Sequence, residues 1–305
     1  MPVIQHPLFA HPDENSLLWR YTDMPKFLNL LITSSIWLGS LEVLANEDPY
    51  EGLLGSVRFP HRIIKSIDDL PEEYHGQLLF DAHLSGVTEN TVEAVFGNWY
   101  RFQETICIKH ESERRDYFIN CWHESKRESV AMWKIYGNEG AGVAIISNSL
   151  RIKDSLCSNI ENIFLGKVNY KDISEVESGA LNYFEHILCK QSSYEYEKEV
   201  RLVHWHIGQR HNPFENAHWD SKAFRFQNIS KDLNPVKPGI SFTCDINALI
   251  ERVIVSPFAP AWYVSTIETI RDKFGYSFPV QQSLLLEKPP TPETAGQIIR
   301  TVIQI

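Results

Sequence analysis

Glu195-Tyr196-Glu197-Lys198-Glu199-Val200-Arg201-Leu202-Val203 is the stretch on which the fold turns. Read as a strand, its side chains alternate, so Glu195, Glu197, Glu199 and Arg201 share one side. Read as a helix, it pairs Glu195 with Glu199 and Glu197 with Arg201 at i,i+4. Val200, Leu202 and Val203 favour the strand, which then covers residues 194–205. Three carboxylates on one side repel one another. The ordinary account is a solvated sheet edge on which Arg201 neutralises its neighbours. The functional account has Glu199 or Glu197 stabilising a developing positive charge, while Arg201 positions that carboxylate or binds an anion.

Outward from this stretch the chain alternates short strands and helices. Residues 17–21 and 36–38 read as strands. Thr22 or Asp23 caps the helix between them, Pro25 sits in its first turn, and Phe27, Leu28, Leu30 and Leu31 form its apolar face. A turn-rich loop over 44–55 contains Asp48-Pro49-Tyr50-Glu51-Gly52. Residues 71–113 are mostly helical in pattern, with Asn90 or Thr91 capping a long segment through Phe102. Strands are expected over 117–122, 142–146, 164–170 and 253–255. Helices are expected over 125–136, 173–191 and 261–274, with a short one capped by Asp245. Residues 207–240 read as a long loop or elaborated hairpin. Without repeats or low-complexity linkers, this order predicts a single α+β domain over 1–288, with a tail over 289–305. Its central sheet is expected to be mixed or antiparallel, with helical insertions.

Composition narrows the function. The 305 residues carry 29 Lys and Arg against 39 Asp and Glu, a formal charge of −10, so non-specific nucleic-acid binding is not expected. The run over 109–115 has four basic and two acidic residues and reads as a solvated helix end. The five cysteines are widely spaced without a Cys-x-x-Cys, which predicts reduced thiols and a cytoplasmic protein. No leader pattern and no apolar run of about 20 residues is present, so no membrane association is expected.

Two further constellations could carry chemistry. Trp19-Arg20-Tyr21 offers a guanidinium fork on an early strand, suited to phosphate or carboxylate, or else an Arg stacked between aromatics. Cys121-Trp122-His123-Glu124-Ser125 is followed by Glu128, Ser129, Met132, Trp133 and Tyr136 at helical spacing. Here Cys121 reads as a core thiol, the helical face as core, and His123 as open to either role. His204, His206, His211 and His218 lack a ligand spacing that Cys or a carboxylate completes, so no metal is expected.

Taken together, these motifs resemble a bacterial family known as domain of unknown function 2971. The resemblance covers roughly residues 15–285. It rests on Trp19-Arg20-Tyr21, Trp37, Asp48-Pro49-Tyr50-Glu51-Gly52, the Cys121–Gly137 set, Gly142-Val143-Ala144-Ile145, Tyr196-Glu197-x-Glu199-Val200-Arg201-Leu202 and Val255-Ser256-Pro257-Phe258-Ala259. Where the family has Asn-Asp-Pro, Glu47 here separates Asn46 from Asp48.

The layout is also similar, more weakly, to ADP-ribosyltransferases. That likeness implies NAD as a substrate, Glu199, Glu197 and Arg20 as catalytic residues, and Trp19, Tyr21, Trp37, Tyr136, Arg201 and His123 as binding residues. It implies a transferase or NAD glycohydrolase, acting as a toxin or phage-defence effector on an unidentified target. Two other readings stay open. One is a non-catalytic module for a nucleotide, peptide or nucleic-acid end; the other is a nuclease or hydrolase using Glu197, Glu199 and His123. The test between them is whether Arg20, Glu199 and Arg201 converge on one cleft.

Overall fold

The stretch over 195–203 divides at Lys198. Its left-handed backbone (φ 41°) ends a 3-10 turn over Ser192–Glu197, and the extended strand begins only at Glu199. Glu199 and Arg201 share a side as expected, but Glu195 sits on the turn and is exposed. The strand is also no solvated edge. It lies between two others and is buried through His204.

The computed structural model describes residues 3–4, 6–7, 9–53, 72, 75, 92–137, 140–159, 161–172, 184–206, 211–220, 223 and 225–287. In chain order the strands are β1 (Val3–Ile4), β2 (Leu18–Thr22), β3 (Ser35–Ser40), β4 (Tyr117–Glu124), β5 (Val143–Ser147), β6 (Ile163–Lys167) and β7 (Asn169–Lys171). There follow β8 (Cys189–Gln191), β9 (Glu199–Trp205), β10 (His218–Asp220), β11 (Arg225–Gln227), β12 (Gly239–Thr243), β13 (Arg252–Val255) and β14 (Val280–Gln282). The helices are α1 (Met24–Thr33), α2 (Leu41–Leu44), α3 (Val92–Glu113), α4 (Val130–Tyr136), α5 (Ser149–Ser155), α6 (Ile246–Leu249) and α7 (Tyr263–Lys273).

Among the described residues ten strands make one mixed sheet, ordered β1-β6-β9-β4-β2-β5-β13-β14, with β12 joined to β4 through β3. The β1–β6 and β13–β14 pairs are parallel; the rest are antiparallel. The fold is therefore α+β. One face of the sheet carries the main core, in which Leu18, Phe118, Trp122, Val200 and Leu202 pack with Phe27, Leu30 and Leu31 of α1. The opposite face carries two smaller clusters, one around Tyr117, Ile119 and Val203 and one around Trp19, Tyr21 and Trp133.

Capping chemistry explains several boundaries. Asp23 caps α1, its Oδ1 accepting from the Lys26 N–H at 2.8 Å, and Asp245 caps α6 in the same way. Asp23→Ala is expected to cost about 1 kcal/mol. Thermal unfolding should register that loss as a drop of about 2–4 °C. The helix expected over 125–136 begins only at Val130, because Ser129 is its cap, accepting from Met132 N–H at 3.3 Å. α3 continues past Phe102 to Glu113, and the 109–115 run is not simply solvated. Glu113 and Arg114 are buried, with Arg114 donating to Pro49 O at 2.6 Å. The strand over 164–170 breaks at Val168 into β6 and β7. Of the helix expected over 173–191, residues 184–191 form a 3-10 turn and β8 instead, and 173–183 lie outside the described residues. The tail over 289–305, most of 54–91 with the proposed caps Asn90 and Thr91, and residues 207–210 also lie outside them.

The pairing of β4 decides which face each site residue takes. β4 pairs with β2 at its C-terminal end (Leu18↔Glu124, Trp19↔His123) and with β3 at its N-terminal end (Gly39↔Ile119, Ser40↔Phe118). β2 and β3 therefore diverge, and the sheet forks around Asn120–Trp122. The backbone carbonyls at the fork find side-chain donors instead of a strand. Arg20 Nη1 donates to Cys121 O at 3.1 Å, and Asn120 Nδ2 donates to Trp37 O at 2.7 Å.

Candidate functional site

The register decides which residues can meet. Trp19 lies opposite His123, and His123 lies opposite Glu199, so these three point to one face. Arg20 follows Trp19 on the strand and points to the other. Arg20 and Glu199 do not share a cleft, and neither do Arg20 and Arg201. The sheet stands between them.

On the Glu199 face the buried groups form one ionic cluster. Arg201 spreads its fork between two carboxylates. It donates through Nε and Nη2 to Glu199, each at 3.0 Å, and through Nη1 and Nη2 to Glu51 at 2.7 and 3.1 Å. It also donates to Ile187 O at 2.5 Å. Lys190 on β8 donates to Glu197 Oε2 at 2.7 Å and stands 3.7 Å from both Glu51 and Glu199. Glu197 is brought in by the 3-10 turn rather than by the strand, and its Oε1 accepts from Tyr136 O–H at 2.8 Å. His123 Nδ1–H donates to Glu197 O at 2.5 Å, and Tyr170 O accepts from Glu199 N–H at 2.8 Å.

Counted formally among the described residues, three carboxylates (Glu51, Glu197, Glu199) face two cations (Arg201, Lys190), leaving one negative charge in surplus. Burial alone would raise the Glu199 pKa, but the charge and hydrogen bonds of Arg201, helped by Lys190, hold it down at about 2. Burial likewise opposes the charges of Lys190 and Arg201, yet the neighbouring carboxylates raise both. The Cys121 thiol, beside Glu199, is pushed well up by burial and by that carboxylate. It is a thiol and not a nucleophilic thiolate. His123 is lowered mainly by burial, so it is a neutral donor.

The buried titratable groups make the protein less stable in acid. His110 and His186 stack with centroids 3.8 Å apart, both buried; burial lowers both, His110 to about 3. A group depressed in the folded state is more readily protonated in the unfolded one, so stability falls as pH drops below its ordinary value. Stability should be level near neutrality, start to fall below about pH 6.5 as the histidines take protons in the unfolded chain, and fall more steeply below about 4.5 as Glu199 joins them. Denaturant midpoints measured from pH 8 to pH 4 check both inflections.

The sequence-predicted residues thus separate. Glu199, Glu197, Arg201, His123 and Tyr136 come together. Trp19 and Tyr21 face the same way but are structural. Trp19 Nε1–H donates to Ser125 O at 2.7 Å, Tyr21 O accepts from Ser129 N–H at 3.0 Å, and both rings are buried. They are not free to stack on a ligand. Tyr136, by contrast, is not core: it is 43% exposed and is the surface link to Glu197. Arg20 and Trp37 belong to the fork on the opposite face.

Sequence reasoning did not single out Lys190, Tyr170 or Glu51. Glu51 had a signal, since the Asp-Pro turn aims it inward. Asp48 Oδ1 accepts from Tyr50 N–H at 3.1 Å, and Gly52 (φ 68°) lies where a Cβ would come within 2.5 Å of Leu41. Asn46 donates to Val43 O at 3.0 Å from an exposed position.

Among the described residues no group of three His, Cys, Asp or Glu side chains could hold a metal ion, and no helix is long and apolar enough to cross a membrane. The five cysteines are free. No protein-family model, curated protein or solved structure matches the chain.

Proposed function

We propose that this chain is an enzyme that cleaves the nicotinamide–ribose bond of an NAD-class nucleotide, with Glu197 as its working carboxylate. The observation that supports this reading is the surplus negative charge of a buried cluster, counted among the described residues, which the half-exposed Tyr136 on Glu197 links to the surface. Breaking that bond sends its electron pair to the ring nitrogen. Neutral nicotinamide leaves and positive charge develops on the sugar. A fixed negative field stabilises that charge more than it stabilises the ground state, and burial keeps water from screening it.

The residues would divide the work by position. Tyr136 gives up its hydrogen bond when substrate reaches Glu197. Glu199, held by the Arg201 fork, and Glu51 are positioning residues that maintain the field. Lys190 holds the Glu197 carboxylate in place through its 2.7 Å bond. Water or an acceptor hydroxyl then adds to the sugar carbon and releases a proton. The sheet separates Arg20 from Glu197, so the convergence expected of an ADP-ribosyltransferase is absent, Arg20 takes no part, and the reading rests on the ionic cluster alone.

Incubation with nicotinamide-labelled NAD tests the reading. Release of nicotinamide is the expected result. Saturable NAD binding without release would move the assignment to a non-catalytic module, and neither binding nor release would overturn it.

A further inference from the structure

The fork in the sheet leaves a cavity of about 420 Å³ on the face opposite the ionic cluster, within the size range of small-molecule sites. Its lining includes Arg20 of β2, Phe27 and Leu30 of α1, Trp37 of β3 and Trp122 of β4. It is open because β2 and β3 pair with opposite ends of β4, so it does not depend on the packing of one side chain. We propose that this cavity is a binding site for a small planar anion, a flat ring bearing a carboxylate or a phosphate.

Three observations carry the proposal independently of the chemistry at Glu197. Arg20 is only partly exposed at the centre of a strand whose other residues are buried, and among the described residues no carboxylate lies within ion-pairing distance of it. One donor of its fork is used at Cys121 O. The rest of that fork matches a carboxylate or phosphate. Burial lowers the Arg20 pKa, and an anion would offset that cost. Trp122, 2% exposed, also lines the cavity, and its buried Nε1–H has no partner among the described residues.

The lining charges are Arg20 and Lys26, both cationic, with Lys26 paired to Asp23 at 3.0 Å; no Asp or Glu lines the cavity among the described residues. The remaining walls are largely apolar and aromatic. At the rim Trp37, 43% exposed, is seated over Gly239, where a Cβ would come within 2.2 Å of the indole. That combination selects an acceptor-rich charge at one end of the ligand and a flat apolar body at the other.

Isothermal titration with benzoate and AMP, against their neutral counterparts benzamide and adenosine, tests this. One saturable site is expected for benzoate or AMP, and which of them binds tells carboxylate from phosphate. The neutral partner should bind at least about tenfold more weakly. Arg20→Gln, which removes the guanidinium charge, should weaken anion binding by about tenfold or more. Trp37→Ala alters only the half-exposed rim and should weaken it several-fold, which guards against an Arg20 variant that fails to fold. Equal binding of neutral and anionic partners, wild-type affinity in both variants, or no binding of either anion would overturn the proposal.

Discussion

Replacing Arg201 by Met is expected to destabilise the protein by about 3–5 kcal/mol, because it strips one cation from two buried carboxylates at once. At roughly 2–4 °C per kcal/mol the melting temperature should fall by about 6–20 °C. The size comes from what is left behind. Glu199 and Glu51 would face each other and Glu197 with only Lys190 between them, inside a region closed to water. Adding Glu199→Gln to Arg201→Met should restore part of the loss, since it removes one uncompensated charge. A loss below about 1 kcal/mol, the worth of an exposed pair, would mean that water reaches the cluster freely. Thermal and urea unfolding read the outcome directly.

Glu197→Gln is expected to lower nicotinamide release by about 100- to 1000-fold, the usual loss when one preorganised electrostatic group is removed. The substitution keeps the shape of the side chain: the amide oxygen can accept from Lys190 while the amide N–H donates to the Tyr136 hydroxyl oxygen. The change is therefore in charge more than in packing. It erases the surplus, leaving Glu51 and Glu199 balanced against Arg201 and Lys190. The variant should fold with near-wild-type stability, which separates this prediction from the one at Arg201.

Much of the fold was legible in the sequence because local signals agreed with the tertiary result. Asp23 before Pro25 and the Phe27–Leu31 face gave α1, and the runs ending at Ile146 and Val255 gave β5 and β13. The errors came where tertiary partners overrode spacing. Alternation across 195–201 placed four charged side chains on one side, whereas the left-handed Lys198 splits the stretch and leaves Glu195 outside. Lys190 and Tyr136 recruit Glu197 from a turn, which no periodicity registers. The charged run also read as a solvated edge, because Lys190, which neutralises it together with Arg201, and Glu51, which joins the cluster, come from elsewhere in the chain.

The candidate site was half legible for a similar reason. Alternation along β2 does say that Arg20 opposes Trp19 and Tyr21. It cannot say which face Glu199 takes, because that depends on the register of β2 on β4 and of β4 on β9. A shift of one residue in either pairing would have put Arg20 and Glu199 in the same cleft. The forked pairing of β4, which creates the cavity, is likewise invisible in any single strand.

The most direct measurement is nicotinamide release from NAD by three proteins side by side: wild type, Glu197→Gln and Glu195→Gln. The two glutamates are two residues apart, yet one lies in the ionic cluster and the other on the exposed turn. The account predicts release by wild type, release within about twofold of it by Glu195→Gln, and a loss of about 100-fold or more for Glu197→Gln. Equal rates in the two variants, or a larger loss at Glu195, would contradict it.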